Sequence, residues 1–308
     1  MSGMGGTCRV CGSALLEWRR PWLSFKWGRC GICCSVQKII SELEYWNLNP
    51  SYDPGYQSGN TDLSDLLVRM DVDGKEKLLR KFFPEVRAGG RLLDIGCGMG
   101  GFLLAGMRAG LKVRGVEPSA SHSKAATELF DLDVVSGYYK KGMFEEKFDI
   151  VILSHVIEHI YQPGEFLECV VDALAPGGRL LVITPNAQAL TAKLCGRYWS
   201  MYKPIDHVTM IGSSAVEYLV PNGTSLELIR TNEWSGEFAA HLISAIRTFL
   251  RPEVANVEST GHASSTKQST LSSTLRIALA VFSLPFKWVG RLTGRQSCLY
   301  FVLKKEGK

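Results

Sequence analysis

The stretch that most constrains this chain is Arg91-Leu-Leu-Asp-Ile-Gly-Cys-Gly-Met-Gly-Gly101. Leu92, Leu93 and Ile95 read as a short buried strand. Glycines follow at 96, 98, 100 and 101, and a helix-like run, Phe102 to Arg108, begins at once. Strand, glycine turn and helix in that order bring a ligand against bare backbone N–H groups at a helix N-terminus. Gly96, Gly98 and Gly101 also satisfy G-x-G-x-x-G, a dinucleotide spacing that is weak by itself. Asp94 separates the readings. Two residues before the first glycine, its carboxylate would repel a pyrophosphate and would suit a cationic ligand such as an ammonium group.

A second acid, Glu117, ends the next predicted strand, Val113-Arg-Gly-Val-Glu117, where a carboxylate can accept from both hydroxyls of a ribose. Glycines that merely pack a helix on a sheet would not account for both acids. Here the residues resemble the class I S-adenosylmethionine (SAM) methyltransferases, whose first motif is similar to LLDIGCGMG; the resemblance covers about residues 90–235. It implies a cofactor site made from Asp94, Gly96, Cys97, Gly98, Gly100, Glu117, Pro118, Ser119, Ser154 and His155. In similar methyltransferases the segment around Tyr56 covers the cofactor, which implies Tyr56 as a further lining residue.

The chain has 308 residues, 45% hydrophobic and 21% charged, with a net charge of +5, enough for one large domain and an appendage. No arginine-rich helix or RNP-like aromatic motif is present, so nucleic acid is not an expected partner. No apolar signal core opens the chain, and no apolar run reaches the ~18 residues of a spanning helix. The expected location is cytoplasmic.

Five of the nine cysteines lie in the first 34 residues. Cys8, Cys11, Cys30 and Cys33 read C-x2-C-x18-C-x2-C, two knuckles that can each give two thiolates to one tetrahedral zinc ion. So small a segment would draw its folding energy from the metal. A structural zinc ribbon is the plainer reading, and a substrate or partner clamp the other. The pattern resembles an N-terminal zinc-binding module that precedes some bacterial methyltransferases, including sugar C-methyltransferases. In those a glycine usually follows the fourth cysteine; Cys34 stands there in this chain.

The expected fold is α/β: a Rossmann-like, doubly wound, seven-stranded and mostly parallel sheet, with a zinc-ribbon-like module at 1–40 and a helical insertion before the last strand. The methyltransferase domain is expected over 41–235, the partly mobile insertion over 236–296 and the last strand over 297–308. Residues 41–62, rich in Tyr, Asn, Pro and Gly, read as a loop. Pro176-Gly177-Gly178 reads as a tight turn before the fifth strand, and Ser213–Val220 as a helix. By resemblance, the final strand lies antiparallel between the fifth and sixth. Residues 275–290 are apolar with only Arg276 and Lys287 charged, and with Arg291 and Arg295 they suit either a helix packed on the sheet or an interfacial contact at the inner face of a membrane through 275–295.

The chemistry belongs at the carboxyl ends of the strands. After the fourth strand come His155, Glu158 and His159. H-x-x-E-H also spells an inverted zinc-protease motif, but these residues follow a buried strand rather than sitting mid-helix. Quinone-type O-methyltransferases have a similar E-V-L-E-H segment that can hold a divalent cation; His155 replaces the first acid here. Glu158 and His159 read as a pair shaping the pocket floor or as catalytic groups. After the fifth strand, Tyr198-Trp199 and Pro204-Ile-Asp-His207 resemble the W…P-x-H-L pattern of bacterial polysaccharide and nucleotide-sugar methyltransferases. His207 is the expected general base, against a purely structural histidine, and Tyr198 and Trp199 are candidates to stack on a sugar ring.

The expected function is methyl transfer from SAM to an oxygen or carbon of a sugar, free, nucleotide-linked, lipid-linked or in a polysaccharide. A quinone or small phenol is the second choice of acceptor. A zinc-containing binding subunit without turnover is the reading from another class.

Overall fold

The computed structural model describes residues 4–18, 25–48, 70–202, 204–232, 237–250, 285 and 288–307. Tyr56 and most of the 275–295 run lie outside the described residues.

The strands are β1 (Met4–Thr7), β2 (Ala14–Trp18), β3 (Trp27–Cys30), β4 (Val36–Lys38), β5 (Arg91–Ile95), β6 (Lys112–Glu117), β7 (Val134–Ser136), β8 (Phe148–Ser154), β9 (Leu174–Pro185), β10 (Thr209–Met210), β11 (Thr224–Asn232) and β12 (Cys298–Lys305). The helices are α1 (Glu42–Leu48), α2 (Val72–Phe82), α3 (Gly101–Arg108), α4 (Ala120–Phe130), α5 (Pro163–Asp172), α6 (Leu190–Cys195) and α7 (Glu237–Leu250).

The large sheet has seven strands in the order β11-β12-β9-β8-β5-β6-β7. From β7 to β9 every pairing is parallel, and β12 runs antiparallel to both β9 and β11, as the resemblance implied. Parallel central strands are covered on both faces and so read as continuous apolar runs; Leu92, Leu93, Ile150, Val151, Ile152 and Leu153 are buried accordingly. Strand order reverses beside β5, whose next-in-sequence neighbour β6 lies on one side and β8 on the other. The carboxyl end of β5 is therefore the switch-point crevice where α/β sheets take ligands.

Three local expectations are corrected. Residues 42–48 form α1 rather than a loop, because Ser41 and Glu44 make a capping box: Ser41 N–H donates to Glu44 Oε2 (2.7 Å) and Glu44 N–H to Ser41 Oγ (3.2 Å). Pro176-Gly177-Gly178 lies inside β9, where the register with β8 shifts between Phe148 and Ile150. Gly178 passes within 2.8 Å of the Phe148 carbonyl at the position of a Cβ, so the strand crosses as a bulge instead of turning. Ser213–Leu219 is 3-10 rather than α-helical.

The N-terminal strands form a second sheet, β1-β2-β3-β4-β10, antiparallel throughout. Its edge strand β10 comes from the segment after β9: Thr209 pairs with Gln37 and Met210 with Val36. Cys8, Leu15, Cys30 and Cys33 belong to the same apolar cluster as Leu93, Val151 and Leu180. The cysteine segment is thus continuous with the body. Trp27, fully buried, meets Tyr202 edge-on at 5.0 Å.

Candidate active site

The glycine turn bends as its sequence requires. Gly96, Gly98 and Gly100 have φ of 73°, 54° and 89°, the left-handed region that costs glycine little. A Cβ at Gly96 would lie 2.5 Å from Val156 Cγ2, whereas at Gly98 it would meet nothing within 4 Å. Gly98 thus borders open space at the mouth of the crevice.

Asp94 is 2% exposed, and its Oδ1 has no hydrogen-bond partner among the described residues. Burial pushes its carboxyl up to about 7; Lys75 pulls it back and Glu117 adds to the rise. A buried carboxylate oxygen without a partner, at the switch point, fits the ammonium of an amino-acid moiety. Glu117 is buried and closes the turn: Oε2 accepts from Gly98 N–H (2.7 Å) and Oε1 from Ser119 N–H (2.9 Å). Each oxygen keeps a second lone pair for a ribose hydroxyl. Ser119 caps α4 by accepting from His122 N–H (3.2 Å). Cys97 is buried and Pro118 half-buried beside these groups.

The turn after β8 gathers the ionisable groups. His155 has φ 56°, an unusual backbone for a histidine, and an exposed ring that donates from Nδ1 to Glu158 Oε1 (3.1 Å). Glu158 is fully buried and also accepts from Thr184 Oγ1 (2.9 Å). Burial would raise its carboxyl, but the His155 bond and the charges of His155, His159 and His207 hold it down to about 2. His159 Nδ1 donates to Asp206 Oδ2 (3.1 Å). Burial works against the charge on His159, yet Asp206 and Glu158 raise its pKa overall. His207 behaves oppositely: burial and then the His159 charge lower it. Its Nδ1 lies 2.7 Å from the Met201 carbonyl, which accepts, so that Nδ1 carries the proton and Nε2 the lone pair. The rings of His159 and His207 meet edge-on at 4.8 Å. One ligand atom each from Glu158, His159 and His207 lies within 4.8 Å of the others. The His207 loop is tied to the turn by Val208 N–H donating to the Glu158 carbonyl (2.8 Å).

Trp199 is corrected: it is 0% exposed, packed against Tyr202 and His241, and cannot stack on a sugar. Tyr198 is half-buried against Phe249. Sequence reasoning missed Asp206 and Thr184 as partners. Only Asp206 had a signal, its place directly before His207.

The four cysteines converge as their spacing predicted. Cys11 Sγ is 3.4 Å from Cys30 Sγ, Cys8 Sγ is 3.6 Å from Cys33 Sγ, and all four sulfurs lie within 4.8 Å of one another. Tetrahedral Zn–S bonds of ~2.3 Å set sulfurs ~3.8 Å apart, so the set fits. N–H groups of Ile32 and Cys33 point at Cys30 Sγ, and Gln37 Nε2 donates to Cys8 Sγ (3.1 Å), the outer bonds expected around a thiolate ligand. The Cys33 contact draws the Cys8 thiol below its usual range. A separate groove of about 790 Å³, lined by Lys81, Phe82, Arg230, Trp288, Arg291 and Tyr300, includes none of the groups above.

A family model described as "Methyltransferase domain" matches residues 70–222. The ubiquinone biosynthesis O-methyltransferase of Bradyrhizobium sp. (strain ORS 278) is 33% identical over 153 residues, covering 48% of this chain and 52% of that protein. The protein of the same name from Caulobacter sp. (strain K31) is 41% identical over 156 residues, covering 46% and 58%. That from Chelativorans sp. (strain BNC1) is 32% identical over 217 residues, covering 67% and 78%. The chain spans about half the length of the first relatives it matches. The matched segment carries Asp94, Glu117, Glu158 and His207, and on the strength of these matches the chain belongs to the class I SAM-dependent methyltransferases.

Proposed function

We propose that this chain transfers the methyl group of SAM to a phenolic oxygen of a quinone-type or other small aromatic acceptor. The observation that carries the reading is the Glu158, His159, Asp206 and His207 cluster beside the β5 crevice, in a chain whose relatives are named ubiquinone biosynthesis O-methyltransferases. The relatives' names favour the phenolic acceptor over a sugar, and Trp199, one of the two rings expected to stack on a sugar, is fully buried. A binding subunit without turnover would have no need of a neutral, oriented histidine beside the crevice.

SAM supplies a methyl already activated by its sulfonium leaving group. Asp94 holds the ammonium, Glu117 the ribose, and the bare backbone at Gly98 permits close approach. Cys97, Gly100, Pro118, Ser119 and Ser154 would complete the walls, with His155 as a further contact to the cofactor. His207 Nε2 takes the phenolic proton as the oxygen–methyl bond forms. His159, charged through Asp206, keeps His207 neutral. Glu158 stays ionised and orients the turn. Product mass spectrometry should show a gain of one methyl on a catechol-type quinone precursor and none on nucleotide sugars. Methylated sugar with an untouched catechol would overturn the acceptor.

Zinc in the cysteine cluster is part of the proposal. Elemental analysis should find about one zinc per chain, and Cys30→Ser should lower solubility before it touches SAM affinity. Metal-free protein of unchanged stability would contradict it. No helix among the described residues is long and apolar enough to cross a membrane. Trp288 and Leu292, each 66% exposed and flanking Arg291, would suit a peripheral contact with an anionic bilayer holding a lipid-linked acceptor.

A further inference from the structure

Two side chains of the N-terminal module, those of Arg9 and Lys38, reach the loop that carries Asp206 and His207. Arg9 follows the first cysteine. Its guanidinium donates to the carbonyls of Lys38 (3.0 Å) and Val208 (2.9 Å) and to Thr209 Oγ1 (3.2 Å). Its own N–H donates to Gln37 Oε1 (3.1 Å), and Gln37 donates from Nε2 to Cys8 Sγ (3.1 Å). Lys38, 2% exposed, donates from Nζ to the carbonyls of Pro204 (3.3 Å) and Ile205. The backbone repeats the link: Lys38 N–H donates to the Val208 carbonyl (3.0 Å), and Gln37 pairs with Thr209.

Arg9 also braces the other wall. Its guanidinium lies 4.3 Å from the centre of the Tyr161 ring, whose hydroxyl donates to the Ile40 carbonyl (3.1 Å). Tyr161 stands two residues after His159. Two cations, Lys38 buried and Arg9 half-buried, therefore direct their donors at carbonyls of residues 204–208, groups that would be costly to leave without partners. Asp94 and Glu117, by contrast, sit on β5 and β6 of the seven-stranded sheet, and none of these bonds reaches them.

We propose that the four-cysteine knuckle is a positioning element for the acceptor half of the site. Metal held by Cys8, Cys11, Cys30 and Cys33 fixes Arg9 and Gln37, and these with Lys38 fix the 204–209 loop and hence His207. Strands of three to five residues are too short to keep that geometry alone. The cofactor half stands without the metal. The activity arm of the test rests on the reading of His207 as base; the exchange arm does not.

The test uses the full chain, as purified and after chelation, with Arg9→Met and Arg9→Lys. Amide hydrogen exchange is followed in peptides covering 204–211, 91–95 and 148–154, with S-adenosylhomocysteine affinity by calorimetry. Chelation and Arg9→Met should each speed exchange in 204–211 by about tenfold or more, leaving the two sheet peptides and the affinity within about twofold. Arg9→Lys should recover only part of the protection, since one ammonium cannot replace a fork that serves three acceptors. Turnover of a phenolic acceptor should fall with the lost protection, while KM for SAM holds. Unchanged exchange in 204–211 after chelation would overturn the proposal, as would loss of S-adenosylhomocysteine affinity in step with it. If exchange responds as expected but the wild type methylates no phenol, the positioning role stands and the acceptor reading falls.

Discussion

Asp94→Asn is expected to weaken SAM binding by about 10- to 100-fold, the loss of a charged hydrogen bond in a buried site, and to raise the melting temperature of the ligand-free protein at pH 8. The two effects have one origin. Burial holds the folded-state carboxyl at about 7, above the ~3.9 of an unfolded chain, so the folded protein binds this proton the more tightly. Its contribution to stability is fully present below about pH 4 and is lost as pH rises through about 7. Above that pH the ligand-free fold carries an ionised, poorly compensated carboxylate, at a cost of up to a few kcal/mol. The amide removes that cost. Saturating SAM should reverse the order, because only the wild type then gains binding energy. SAM affinity should also fall as pH drops below about 7, since binding must first release the proton. Calorimetry at pH 6 and pH 8, beside thermal melts, checks each part; equal affinity of variant and wild type would remove Asp94 from the site.

His207→Ala is expected to lower turnover by about 10²–10⁴ with SAM affinity nearly unchanged. Burial and the neighbouring His159 charge keep the His207 pKa below its usual value. The neutral base therefore persists through neutral pH, and the acid limb of the wild-type profile should lie below ~6.5. His159→Gln removes the charge that presses on His207 and should shift that limb upward. A stopped-flow or steady-state pH profile of kcat decides. If His207→Ala keeps most of its turnover across the acid limb, alignment alone carries the reaction.

The large sheet was legible because buried parallel strands write themselves as unbroken apolar runs between glycine and helix signals. The cysteine cluster was legible because spacing alone limits what two knuckles can hold. Cys34 shows where spacing was also informative about backbone: it has φ 61°, the conformation for which glycine is the usual residue. What escaped was set by tertiary contact. Trp199 in a polar loop looks the same in sequence whether it is packed inward or presented to a ligand. Ser41 and Glu44 were a capping signal hidden in an aromatic, proline-rich context. Thr209 and Met210 are too few to show any period, and nothing local says that their partners are Gln37 and Val36.

That last pairing has a consequence in time. Arg9 and Thr209 stand 200 residues apart in sequence. On a ribosome adding ~5–20 residues per second, the cysteine strands emerge at least ~10 s before the strand that closes their edge. Until then the β4 edge offers free N–H and C=O groups to any other nascent strand. Early metal capture would shorten the interval in which the first forty residues are open to mispairing, so metal supply during synthesis should govern yield more than metal supply afterwards.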